Sequence, residues 1–195
     1  MPECRTDCRP DVIYLIRRFT TSPRPACQNV DMSTRTMRIE ATGLTGLERT
    51  TLVQVRELEV SDCEELSQLY LDSYPPGVAA GSLEEAQAEM RLAFDGGFGQ
   101  LIPEATLGAF DGDRLIGAVM TVVDPPWDDV PPGPFIIELF VAPDARSQGV
   151  ATALLSLAAE NCSRQGQDTL SLRVDMHTAS EAFRLYEFLG FATVE

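Results

Sequence analysis

The stretch DARSQGVATALL (144–155) places an arginine, a glycine and a small residue at fixed spacing, where an apolar run passes into a helical pattern. The first amides of a helix lack an intrahelical acceptor and lie at the positive end of its dipole, so such a junction can bind an anion. Gly149 leaves room for a close ligand, Ala151 keeps the first helical turn slim, and Arg146 adds a fixed positive charge. The pattern Arg-x-x-Gly-x-Ala predicts a pyrophosphate site. An ordinary strand-to-helix turn, with glycine serving packing, is the alternative.

The composition excludes several other chemistries for this chain. All 15 basic residues are arginine, so a lysine Schiff base, a lysine general base and a GxxxxGK phosphate loop cannot form. The single histidine, His177, rules out motifs with two metal-binding histidines, and we expect no metal cofactor. The five cysteines contain no Cys-x-x-Cys pair, which predicts free thiols in a reducing compartment and hence a cytoplasmic protein.

The charge balance indicates which partners to expect. The formal net charge is −15, so we expect neither a nucleic acid nor a membrane as a partner. A cationic substrate such as an amine would be attracted, although the same charge also serves solubility.

Hydrophobic periodicity and turn residues predict the order β-α-α-β-β-β-α-β-α-β from residue 50 onward. The predicted strands cover residues 52–58, 105–110, 114–123, 135–141, 169–174 and 191–194. The predicted helices cover residues 62–73, 83–94, 148–165 and 179–189. Three helices follow an S/T-x-x-E capping box, which begins at Ser61, Ser82 and Thr178. This order predicts a mixed α/β domain and fits a doubly wound dinucleotide-binding sheet poorly.

The chain is expected to divide near residue 46. Residues 1–38 carry seven arginines against four acidic residues, whereas the rest of the chain is strongly acidic. Scattered prolines and weak periodicity predict that residues 1–46 form a disordered or loosely attached N-terminal extension. Residues 47–195 are predicted to form one domain.

Two segments of the chain resemble the GNAT superfamily of acetyl-CoA-dependent N-acetyltransferases. LFVAPDAR and the Arg-x-x-Gly-x-Ala pattern are similar to the family's central acetyl-CoA motif, and AFRLYEFLGF (182–191) is similar to its last helix. The resemblance covers roughly residues 50–195. It implies a mixed, mostly antiparallel sheet whose middle strands splay apart, flanked by helices.

The resemblance also implies roles for individual residues. Acetyl-CoA would be the co-substrate, with its pantetheine arm on the backbone of three strand residues: Leu139, Phe140 and Val141. Its pyrophosphate would be held by Arg146 and by the amides of six residues: Ser147, Gln148, Gly149, Val150, Ala151 and Thr152. Tyr186 would protonate the departing thiolate, and the alternative is a core aromatic side chain.

Glu138 is the one charged residue in the apolar run FIIELFV (135–141). Burial would raise its pKa, which suits a base that takes a proton from an ammonium group; a solvent-facing or ion-paired carboxylate is the alternative. His177 is a second candidate base, for which a capping or surface role is the alternative. Trp127, Asp128 and Asp129 in the proline-rich loop 124–134 could form part of a pocket for an amine cation, and an ordinary solvated loop is the alternative. Ala179 stands where the family often has asparagine, which puts the contact made by that asparagine in doubt.

The implied function is an N-acetyltransferase, in which a primary amine attacks acetyl-CoA directly in a ternary complex. The acceptor is expected to be a small-molecule or peptide amine, and members of the family often form dimers, so a homodimer is a further expectation. A non-catalytic acyl-CoA-binding module of the same fold is the alternative, which the substitution at Ala179 would suit. The third hypothesis is an α/β domain without any CoA site.

Overall fold

The computed structural model describes residues 34–44, 53–75, 78–176 and 179–194. Within them the strands are β1 (Thr34–Glu40), β2 (Gln54–Glu57), β3 (Gln100–Leu101), β4 (Leu107–Asp111), β5 (Arg114–Val123), β6 (Phe135–Val141), β7 (Thr169–Asp175) and β8 (Ala192–Thr193). The α-helices are α1 (Cys63–Ser73), α2 (Leu83–Phe94), α3 (Val150–Arg164) and α4 (Ser180–Leu189). In this described part of the chain, no helix combines the length and the apolar character needed to cross a membrane.

The strands form one sheet in the order β2-β4-β5-β6-β7-β1-β8, with β3 paired to β5. Every pairing between these strands is antiparallel except that of β6 with β7, which is parallel. The predicted mixed α/β class with a mostly antiparallel sheet is confirmed.

Helices cover both faces of this sheet. Phe140 of β6 packs against Tyr70 of α1, with ring centroids 5.5 Å apart. The next side chain, Val141, lies instead beside Gly117 of β5, under Val150 in the first turn of α3. Because successive side chains of a strand point to opposite faces, α1 and α3 lie on opposite sides of β6. The strand is therefore covered on both faces, which explains its nearly continuous apolar sequence.

The predicted elements are present with boundaries that differ by about two residues at most. The predicted hairpin is confirmed, since Asp111 pairs with Arg114 across Gly112, whose φ is +60°. Strand β3 was not predicted, because two residues are too few to show a hydrophobic period.

The helix caps differ from the sequence expectation. The predicted box at Ser61 is wrong: α1 is preceded by a 3-10 turn, Val60–Asp62, and the Asp62 carboxylate accepts from Glu59 N at 2.8 Å and from Arg56. At α2, Ser82 Oγ accepts from the backbone N of the third helical residue at 3.2 Å, as predicted. Thr178, the third predicted cap, lies outside the described residues.

The predicted boundary near residue 46 requires correction. Residues 34–40, which the sequence assigns to the extension, form strand β1 inside the sheet, between β7 and β8. Met37 and Ile39 alternate with polar residues and are buried there, a short pattern that the surrounding prolines and arginines obscured. Arg38, counted as extension charge, donates to Ser171 Oγ at 3.1 Å. The sheet therefore begins at Thr34, and residues 1–33 lie outside the described part.

Candidate active site

Strands β6 and β7 are paired only at their beginnings. Phe135 pairs with Ser171 and Ile136 with Leu172, and no later residue of β6 pairs with β7. On its other side β6 stays paired with β5 as far as Val141. The main chain of residues 137–141 is therefore left without a strand partner on the side of β7, and the predicted splay of the middle strands is confirmed.

The three residues predicted to bind pantetheine, Leu139, Phe140 and Val141, differ in the direction of their main-chain N–H and C=O groups. Ala142 N donates to Ile116 O of β5 at 2.9 Å. Every second residue counted back from Ala142 therefore also directs its N–H and C=O groups toward β5. Because these directions alternate along a strand, Phe140 also turns toward β5, whereas Leu139 and Val141 turn toward the opening. An extended ligand with amides of its own can add to β6 there, through Leu139 and Val141.

The turn between β6 and α3 forms a row of free amides at the same end of the opening. Gly149 caps α3 with φ +80°, and Ser147 also has a left-handed φ, of +59°. The first hydrogen bond of the helix runs from Ala153 N to Gly149 O. Among the described residues, none accepts a hydrogen bond from the backbone N of residues 147–152. These six amides, together with the helix dipole, fit a phosphate group.

The Arg146 and Gln148 side chains of this turn donate hydrogen bonds to backbone carbonyls of the protein. Arg146 Nε donates to Val141 O at 3.2 Å, and Arg146 Nη2 donates to Ser73 O at the end of α1. Gln148 Nε2 donates to Asp144 O at 2.8 Å. Arg146 thus joins β6 to α1 across the site, and its role as a charge beside a pyrophosphate stays a prediction.

The first turn of α3 is seated closely on the sheet. Val150 and Leu154 lie over Gly117 of β5, where an added Cβ would come within 2.8 Å of Val150 Cγ1 and 3.2 Å of Leu154 Cδ1. Ala151 and Thr152 are half-buried on the same turn. Gly117 was not identified from the sequence, because its importance depends on the close approach of a helix that is distant in the chain.

Glu138 lies in the middle of β6 and is 7% exposed. Its Oε2 accepts a hydrogen bond from Tyr74 Oη at 3.2 Å. Burial raises the pKa of Glu138 to about 8; the Tyr74 hydrogen bond opposes this rise, and the nearby Glu89 of α2 adds to it. The expectation of a buried carboxyl with a raised pKa agrees with the structure. With this pKa the carboxyl is mostly protonated at pH 7 and becomes able to accept a proton as the pH rises through about 8.

Tyr186 of α4 is 7% exposed and packs against Phe191, with ring centroids 5.6 Å apart. Its hydroxyl makes no hydrogen bond with a described residue, in contrast to that of Tyr74. Burial, and then the charge of Glu138, raises the pKa of Tyr186, so the phenol stays protonated at neutral pH. The structure thus brings Tyr186 and Glu138 within electrostatic reach of each other and leaves the phenolic proton free to be donated.

Two features of this site were missed from the sequence. Tyr70 and Tyr74 lie one turn apart at the end of α1, and their rings pack on each other with centroids 5.3 Å apart and on Phe140. The second feature is Glu89 of α2, whose charge acts on both Glu138 and Tyr70. The Tyr-x-x-x-Tyr spacing was the available signal, but in the sequence it reads only as a helix face that ends at proline.

The other sequence candidates are His177, the proline-rich loop 124–134 and Ala179. His177 is outside the described residues. In the proline-rich loop 124–134, Asp129 forms an ion pair with Arg173 at 3.0 Å, and Trp127 packs on Phe135 with centroids 5.6 Å apart. Ala179 precedes α4 as its N-cap and contributes no side-chain cap. Among the described residues, no three His, Cys, Asp or Glu side chains are grouped so that they could hold a metal ion.

Comparison with protein families identifies the class of protein. The model of the acetyltransferase (GNAT) family matches residues 63–191, which is more than half of the chain. The chain therefore belongs to the GNAT acetyltransferase family, whose donor substrate is acetyl-CoA. No curated protein matches it at the sequence level.

Solved structures share the fold at low sequence identity. The ribosomal-protein-S18-alanine N-acetyltransferase from Escherichia coli is 19% identical with a TM-score of 0.58, over 74% of this chain and 80% of that one. The PaiA N-acetyltransferase from Thermoplasma acidophilum, solved with coenzyme A, is 17% identical with a TM-score of 0.52, over 71% and 89%. A functionally unknown conserved protein from Staphylococcus epidermidis is 15% identical with a TM-score of 0.60; the match covers 83% of this chain but only 57% of that one.

Proposed function

We propose that this protein transfers the acetyl group of acetyl-CoA to a primary amine of a small molecule or peptide, by direct attack in a ternary complex. The observation that carries the proposal is the continuity of two features: the opening between β6 and β7 leads directly to the free amides of residues 147–152. An elongated ligand with amides in its arm and a diphosphate at its end matches both.

The donor would bind along the edge of β6. Main-chain groups of Leu139 and Val141 would pair with the pantetheine amides, and the amides from Ser147 to Thr152 would bind the pyrophosphate. A main-chain N–H at the edge of β6 would polarise the thioester carbonyl where negative charge develops during attack.

The acceptor amine would lose its proton to Glu138, directly or through water, and its nitrogen would attack the carbonyl carbon. As the C–S bond breaks, Tyr186 would donate its phenolic proton to the departing thiolate. The attacking nitrogen would lose a second proton as the amide forms, and this proton would return to the phenolate of Tyr186 through solvent, while Glu138 releases the first proton to solvent. Of the two protons that the ammonium group loses, one thus ends on the thiol and the other in solvent. The acidic character of the chain and a buried carboxyl suit a substrate that arrives as an ammonium ion.

The test combines binding with turnover. Titration with coenzyme A should give heat of binding in calorimetry, and coenzyme A should raise the melting temperature of the protein. A thiol-release assay with acetyl-CoA should detect turnover with at least one amine of a broad panel. A non-catalytic acyl-CoA-binding module predicts binding without release of thiol against any amine. Absence of coenzyme A binding would contradict both functions.

A further inference from the structure

A continuous set of contacts joins the anion-binding turn to the carboxyl of Glu138. Arg146 bridges two carbonyl groups, that of Val141 at the end of β6 and that of Ser73 at the end of α1. Tyr74 follows Ser73 directly, in an extended conformation as the C-cap of α1, and its hydroxyl donates to Glu138 Oε2 at 3.2 Å. The position of one end of a helix therefore decides whether this phenol reaches the carboxyl.

Ring packing fixes the orientation of the phenol. The Tyr74 ring meets that of Tyr70 at 69°, with centroids 5.3 Å apart, and lies 6.3 Å from that of Phe140. Phe140 is two residues from Glu138 on the same face of β6, so one strand face carries both the packing partner and the hydrogen-bond acceptor. Edge-to-face packing of this kind restrains a ring without binding its hydroxyl group.

We propose that Tyr74 is a positioning residue for Glu138, and that Arg146 acts on the carboxyl through Tyr74 by holding the end of α1 against β6. This inference rests on the proposed function for its catalytic meaning, but the hydrogen bond itself is testable without any turnover. Its consequence is that donor binding at the turn and proton transfer at Glu138 share one arginine.

Groups from several elements are coupled to Glu138. Tyr74 at the end of α1 and Glu89 of α2 act on its carboxyl. The charge of Glu138 in turn raises the pKa of Tyr70 on α1 and of Tyr186 on α4, and Arg146, in the turn before α3, acts on Tyr74. Of these, only Tyr74 donates a described hydrogen bond to the carboxyl, and that bond favours the charged form. Loss of the Tyr74 hydroxyl must therefore raise the pKa of Glu138 above its value of about 8.

The direct experiment follows the side-chain carboxyl of Glu138 by NMR in protein labelled with ¹³C at glutamate Cδ, with the signal assigned by its absence in Glu138→Gln. In Tyr74→Phe the ring packing is kept and the hydrogen bond is lost. Loss of a hydrogen bond to a charged carboxylate should raise the titration midpoint of Glu138 by about one to two pH units. An unchanged midpoint in Tyr74→Phe would overturn the proposal.

Tyr70→Phe is the matched control, because it removes a phenol from the same helix and the same aromatic cluster that does not donate to Glu138. Its midpoint shift should be less than half of that in Tyr74→Phe. An equal shift in both variants would assign the effect to general polarity and overturn the proposal. Should Tyr74→Phe fail to fold, Tyr74→3-fluorotyrosine replaces it: a more acidic phenol is a stronger donor and should lower the midpoint, and no change would contradict the role of Tyr74.

Arg146→Lys tests the second half of the inference. Lysine keeps the positive charge but not the planar fork that reaches two carbonyls, so the midpoint should rise by less than in Tyr74→Phe. If Arg146 acts through Tyr74, the double variant should show no more shift than Tyr74→Phe alone. A full additional shift in the double variant would refute that coupling.

Activity measurements then separate this inference from the proposed function. With an active enzyme, the acid limb of the pH profile of kcat/KM should move with the NMR midpoint in Tyr74→Phe, while coenzyme A affinity stays constant. If no amine is acetylated, the proposed function fails, yet the titrations still decide whether Tyr74 and Arg146 set the state of Glu138.

Discussion

The phenol oxygen of Tyr74 lies 3.2 Å from Oε2 of Glu138, so the end of α1 and the middle of β6 meet through one hydrogen bond inside the site. Burial and the charge of Glu89 raise the pKa of this carboxyl to about 8, and the hydrogen bond from Tyr74 opposes the rise. The balance of these three effects sets the pH range in which Glu138 can accept a proton.

The acid limb of kcat/KM should therefore lie near pH 8. A base must be deprotonated to act, so activity should fall about tenfold for each pH unit below that point. Glu138→Gln should remove the limb and lower kcat/KM by about 100-fold or more, as measured by thiol release across pH 6–10. A Glu138→Gln enzyme that retained the limb would assign it to another group.

Glu138 should also make the protein less stable at higher pH. Its folded-state pKa of about 8 lies above the ordinary value of 4.5, so the folded state holds more protons than the unfolded state between these two pH values. The contribution of this group to the free energy of unfolding is largest below pH 4.5, declines as the pH rises to 8 and is constant above it. Urea unfolding of Glu138→Gln and of the parent protein should show this decline only in the parent.

Tyr186→Phe should slow the chemical step. The hydroxyl of this buried tyrosine has no described acceptor and remains protonated at neutral pH, so its loss removes a proton donor rather than a structural bond. We expect kcat to fall about 100-fold with little change in KM for acetyl-CoA. A thioester of a more acidic thiol needs less help in leaving, so its rate should be affected much less. Equal losses with both thioesters would indicate a packing role.

Gly149→Ala should weaken coenzyme A binding. A side chain at φ +80° costs about 1–2 kcal/mol, and relief of that strain would move the amides that follow it. Gly112→Ala is the matched control: its φ is +60° and nothing lies within 4 Å of an added Cβ, but it is in the hairpin turn. Both variants should lose a similar amount of stability in thermal melts, and only Gly149→Ala should lose affinity in calorimetry.

A chain that begins at Met32 should fold, whereas one that begins at residue 47 should not. The first keeps β1, while the second loses the partner of both β7 and β8 and the buried side chains Met37 and Ile39. Each large buried apolar side chain contributes about 1.5–3 kcal/mol, which is a large share of a typical domain stability of about 5–15 kcal/mol. Circular dichroism melts of the two truncated chains test this prediction. A stable chain from residue 47 would support the boundary near residue 46 that the sequence predicted.

The amino-acid sequence by itself determined most of the helices and strands, and the turn that is proposed to bind the donor. Periodicity and turn residues are local properties, so α1, α2, β5 and β6 lie where they were predicted. The strand-to-helix pattern Arg-x-x-Gly-x-Ala is also local, because the free amides and the left-handed glycine belong to one turn.

The tertiary structure alone decided which distant residues meet. That β1 completes the sheet beside β7, that Tyr74 reaches Glu138, and that Arg146 holds Ser73 all depend on contacts between segments far apart in the chain. No local pattern encodes such contacts, because they arise only when helices and strands pack around one core and bury their apolar faces together. The pKa of Glu138 follows the same rule, since burial and neighbouring groups set it rather than the residue type.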